Sequence, residues 1–126
     1  MAAEMAKVRG EAPGAEFSPA PMTGGVEVVR VPRGFLTAPD RGRRPAEIAL
    51  DFIRSHAPLY GLDARQADGL RVLGESRGGG SGLRVVRLDQ TVHGRPVFQS
   101  ETRAMVDREG RLVRTVGRLA PGIDET

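Results

Sequence analysis

At 126 residues the chain is long enough for one domain with its own core and too short for two ordinary ones. It has a formal charge of +3 and no cysteine, which excludes a disulfide framework, a thiol nucleophile and a thiolate metal site. Lys7 is the single lysine, and the arginines run from Arg9 to Arg118 without aromatic platforms beside them, so no nucleic-acid partner is expected.

No stretch approaches the ~20 apolar residues that span a bilayer, so no membrane partner is expected either. Met1 to Lys7 lacks the apolar run of ~7–15 residues of a secretory signal. Residues 1–25 are rich in Ala, Gly, Pro and Glu and broken by Pro13, Gly14, Pro19, Pro21, Gly24 and Gly25. They read as a flexible leader with little periodicity. The expected domain runs from 26 to 122, with 123–126 as an exit segment. Val26 to Val31 suits a short strand that Pro32-Arg33-Gly34 ends, and Phe35-Leu36-Thr37 offers an apolar anchor.

Pro45 suits the first position of a helix, where its missing N–H is not needed, and Glu47 complements the positive end of the helix dipole. Ile48, Ala49, Phe52, Ile53 and His56 recur every three or four residues and form one apolar face. Pro58 removes a hydrogen bond and biases Ala57 away from α geometry, so the helix kinks or stops near His56. Asp63 can cap a short turn over Ala64 to Asp68.

From Gly69 the periodicity becomes two. Leu70 and Val72 begin a first strand, Gly78 to Gly82 is a loop, and Leu83 to Leu88 alternates. His93-Gly94 then reverses the chain, because glycine takes positive φ without a Cβ clash. Pro96 gives no N–H to a ladder and belongs near a strand start or on an outer edge. Asp107 to Gly110 is a second tight turn, and Leu112 to Val116 the last strand. The fold class is therefore α+β, one main helix packed on a three- to four-stranded antiparallel sheet. Its expected core is Phe35, Ile48, Phe52, Ile53, Leu70, Val85, Phe98 and Leu112.

Chemistry is scarce. The two histidines, His56 and His93, come from different places, no HExxH pair exists, and no G-x-S-x-G elbow is present. Glu47 and Asp51 share one helical turn, as solvated carboxylates commonly do. No catalytic residue, metal ligand or cofactor is expected, and the chain is not read as an enzyme.

Gln90, four residues on Gly94, then Pro96-Val97-Phe98, followed by Asp107-x-x-Gly110, resembles the fungalysin/thermolysin propeptide motif, the FTP domain. Gly34 to Thr37 and Tyr60-Gly61-Leu62 look like its fungalysin branch, and the resemblance covers about Phe35 to Gly122. Pro58, His93 in a position where Asn is common, and Arg95 in place of an apolar residue depart from the pattern. The resemblance implies a cystatin-like fold and a propeptide module that acts as intramolecular chaperone and inhibitor or docking element of a secreted, extracellular zinc metallopeptidase. The implied partners are the cognate catalytic domain, which carries the zinc, and a following PepSY-type module. Gln90, His93, Gly94, Arg95 and Pro96 are the candidate docking residues. The alternative is a free-standing extracellular cystatin-like binding or inhibitor module.

Overall fold

A computed structural model describes residues 2–19, 26–32, 34–77, 82–96 and 100–117. Its elements are α1 (Ala2–Glu11), β1 (Glu16–Pro19), β2 (Val26–Arg30), α2 (Pro45–Ser55), a 3₁₀ turn (Ala57–Tyr60), α3 (Ala64–Asp68), β3 (Leu70–Arg77), β4 (Arg84–Val92), β5 (Arg95–Pro96), β6 (Thr102–Val106) and β7 (Leu112–Gly117).

The local signals act as the residue chemistry predicts. Pro45 opens α2, which stops at Ser55, and Pro58 lies in the 3₁₀ turn that follows. Asp63 caps α3 through a reciprocal pair: its Oδ1 accepts from the Gln66 N–H at 2.8 Å, and Gln66 Oε1 accepts from the Asp63 N–H at 3.0 Å.

The architecture itself corrects the expected one. Among the described residues seven antiparallel strands form one sheet in the order β1-β2-β7-β6-β4-β3, with β5 paired to β4, and the longest helix, α2, has only 11 residues. The molecule is mostly sheet with short helices, not one main helix on three or four strands. The additional width comes from the N-terminal stretch. Val28, Val29 and Arg30 pair with Val116, Thr115 and Arg114, and β1 pairs with β2 in turn. The flexible leader expected for residues 1–25 is likewise corrected over 2–19: α1 and β1 form there, and Val8, Ala12 and Ala15 are buried in the core. Residues 20–25 and 123–126 lie outside the described residues.

One face of the sheet carries the core. Val29, Thr115, Ala104 and Val86 stand opposite one another across four strands, and all are fully buried. Ile48, Ala49, Phe52 and Ile53 of α2 are buried as well. Tyr60 comes over the same layer and its hydroxyl lies 2.7 Å from the Thr115 hydroxyl. Burial pushes the Tyr60 phenol pKa up, since a phenolate there would have lost its water.

Three of the expected core positions need comment. Phe35 is 39% exposed, with the Arg111 guanidinium 3.6 Å from its ring centroid, so a cation–π contact holds it at the surface. Val85 is only half-buried, because β4 turns Val86, Leu88 and Gln90 to the core and pairs Val85 with Met105 on the other face. Phe98 lies outside the described residues.

Candidate functional site

The residues singled out by sequence fall at two turns at opposite ends of β4. The first follows Val92. His93 has φ 54° and Gly94 φ 77°, two consecutive left-handed residues of the kind that a two-residue hairpin with right-handed twist requires. Thr91 then pairs with Pro96 and Val92 with Arg95. Among the described residues β5 pairs only with β4, so the missing N–H of Pro96 breaks no ladder there on its other side. His93, Gly94, Arg95 and Pro96 are all exposed. A Cβ placed on Gly94 would have no atom within 4 Å.

Gln90 behaves differently from the other candidate docking residues. It is 2% exposed, opposite Leu70 in the β3–β4 ladder, and its backbone N–H donates to the Ser100 hydroxyl at 3.0 Å. Its place in a docking surface is therefore corrected; it belongs to the interior. Val97, like Phe98, lies outside the described residues.

The second turn joins β6 to β7 beside the Arg84 end of β4. Asp107 Oδ1 accepts from the backbone N–H groups of Glu109 and Arg111 at 3.0 and 2.9 Å, while Oδ2 accepts from Arg111 Nε at 2.8 Å. One carboxylate thus satisfies donors that a tight turn leaves without partners. Gly110 has φ 76°, and a Cβ there would run into the main chain of Asp40. The loop before α2 is laced onto this turn: Asp40 N donates to Glu109 O at 2.9 Å, Leu36 N to Leu112 O at 2.7 Å, and Leu112 N to Thr37 Oγ1 at 2.9 Å.

Charge is organised around the same end. Arg41 pairs with Glu109, Nε to Oε2 at 2.7 Å, and this hydrogen bond holds the Glu109 carboxyl below its ordinary value. Arg43 pairs with Asp51 and faces Glu47 at 3.8 Å, so one guanidinium is shared by both carboxylates of the α2 turn. Their hydrogen bonds keep the pKa values of Arg41 and Arg43 raised.

His56 holds the N-terminal helix, a contact that sequence reasoning missed. It is 3% exposed, tilted against Phe52, and its Nδ1 lies 2.9 Å from Glu4 Oε2. Glu11 reaches within 3.8 Å of its other ring nitrogen. The available signal was a polar residue on an apolar helix face, which needs a buried partner. Among the described residues no three His, Asp or Glu side chains gather as metal ligands, and no helix is long and apolar enough to cross a membrane.

Residues 68–119 match the family model described as the Fungalysin/Thermolysin Propeptide Motif, FTP. The match starts at the last residue of α3 and takes in β3 to β7 with both turns, leaving α1, β1, β2 and α2 outside it. No curated protein and no solved structure matches the chain.

Proposed function

Taking as premise that the chain carries an FTP motif over residues 68–119, we propose that it is a non-catalytic propeptide module of a secreted zinc metallopeptidase. Modules of this family are propeptide parts and not catalytic ones, and they associate with their cognate peptidase domain. The match is the observation that carries the reading. The geometry supports it, because the motif's Gly94-x-Pro96 and Asp107-x-x-Gly110 are the two turns that bound the meander.

In this reading the module templates folding of the catalytic domain and docks on it, followed by a PepSY-type module. The docking surface is the exposed His93 to Pro96 turn together with β3, an end strand of the sheet. Val72 and Leu73 on β3 are 37% and 38% exposed, and an open strand edge with apolar side chains is a ready template for a partner. Secretion follows from the same premise.

The test is to refold the metallopeptidase domain of the same precursor with and without the 126-residue chain, and to titrate the two by calorimetry. Saturable binding and a higher yield of active peptidase are expected. Absence of both would refute the reading. Hydrolysis of a peptide substrate in the same titration reports whether the docked module also blocks the cleft.

A further inference from the structure

A cleft of about 530 Å³ opens at the Arg84 end of β4, where the start of α2, the end of β3 and the β6–β7 turn converge. Among the described residues Arg41, Arg43, Arg77, Arg84 and Arg108 line it against a single carboxylate, Asp107. Asp107 is already bound by Arg111, Arg41 by Glu109, and Arg43 by Asp51 and Glu47. Arg77, Arg84 and Arg108 are exposed and have no ion pair among the described residues. Three uncompensated guanidinium groups around one concavity raise a positive potential that its low-dielectric walls focus.

We propose that this cleft binds an acidic peptide segment of a partner protein, and, resting on the reading above, that the partner is the peptidase domain. Three features select this ligand. The walls already hold carboxylates: Arg41 takes Glu109 and Arg43 takes Asp51, so the guanidinium forks here are set in carboxylate-binding geometry. The cleft is far larger than a single small anion needs, since one water occupies about 30 Å³ of liquid volume. Half-buried Pro45 and Leu83 also line it and can take the aliphatic parts of a peptide. Among the described residues no aromatic one lines it, so these offer no stacking platform for a nucleic-acid base.

The site is remote from the His93 turn, because β4 separates the two along its whole length. A partner spanning both would lie along the β3–β4 edge of the sheet, with its acidic segment at the arginine end.

The experiment uses the full 126-residue chain with a fluorescein-labelled hexaglutamate peptide, a hexaglutamine control and inorganic phosphate as probes. The variant carries Arg77→Gln, Arg84→Gln and Arg108→Gln together, and circular dichroism checks that it folds like the parent. A second variant, Arg65→Gln, removes an exposed charge from α3, at the other end of β4. Hexaglutamate should bind the parent and the Arg65 variant alike, weaken with salt, and bind the triple variant about tenfold or more weakly. Equal binding to parent and triple variant, no hexaglutamate binding at all, or phosphate competing as well as the peptide would overturn the proposal. The peptidase domain is titrated in parallel. Failure of the parent to bind it removes the propeptide reading and leaves the cleft to be judged by hexaglutamate. Binding that survives in the triple variant removes the cleft as the docking face and leaves the propeptide reading standing.

Discussion

Gly94 and Gly110 have almost the same φ, 77° and 76°, and both lie within the residues that match the FTP model, yet they sit in opposite surroundings. Around Gly94 there is open space, and the residues from His93 to Pro96 are exposed. Around Gly110 the main chain of Asp40 fills the place of a side chain, and Asp40, Thr37 and Leu36 tie the turn to the loop before α2. The same residue type thus answers two needs. One turn requires glycine for its dihedral angle alone, and the other requires it also for contact. A motif position tells that a turn is present but not whether the turn is a joint of the scaffold or a free surface.

The core should support both ends equally. Phe52→Ala is expected to cost ~3–5 kcal/mol in equilibrium urea unfolding, with amide protection lost at both turns together. Protection kept at one end alone would mean that the ends belong to separate folding units.

At the packed end, Asp107→Ala leaves two backbone donors and Arg111 without their acceptor, and should cost ~1–3 kcal/mol by the same measurement. Arg95→Ala at the open end should stay within ~0.5 kcal/mol, as exposed positions do. Equal costs would erase the contrast.

At the open end, His93 is the one non-glycine residue with positive φ among those described. Asn tolerates this region better, so His93→Asn should stabilise the fold by ~0.5–1 kcal/mol, seen as a raised urea midpoint.

The smallest effect concerns pH. Hydrogen bonding to Arg41 depresses the folded-state pKa of Glu109 below its ordinary 4.5. Its contribution is therefore present above the ordinary value and fades as pH falls through the depressed one. The stability difference between the parent and Glu109→Gln should be small at neutral pH and shrink further below pH 4.5. A difference that grows on acidification would contradict the pairing.

Much of the local structure was legible because single residues dictate it. Pro45 starts a helix, Pro58 follows its end, Asp63 with Gln66 caps another, and His93-Gly94 turns a hairpin. What was not legible depends on partners distant in sequence. Val85 and Val86 are adjacent and equally apolar, so nothing local decides which faces inward; Ala104 and Thr102 across the ladder decide it. Phe35 looks like a core anchor until Arg111 captures its ring. The leader has weak helix and strand signals, and its place in the fold rests on His56 reaching Glu4 and on β2 pairing with β7. The width of the sheet was missed for that reason, as was the arginine cleft, whose five cations come from four separate stretches.

Placing alanine at the two glycines in turn tests the contrast most directly. Urea unfolding of Gly110→Ala should show a loss of ~2–4 kcal/mol, from the left-handed φ and from displacement of the Asp40 main chain. Gly94→Ala should show ~1–2 kcal/mol, from the dihedral angle alone. Equal losses, or a larger loss at Gly94, would contradict the division of β4 into a packed end and an open one.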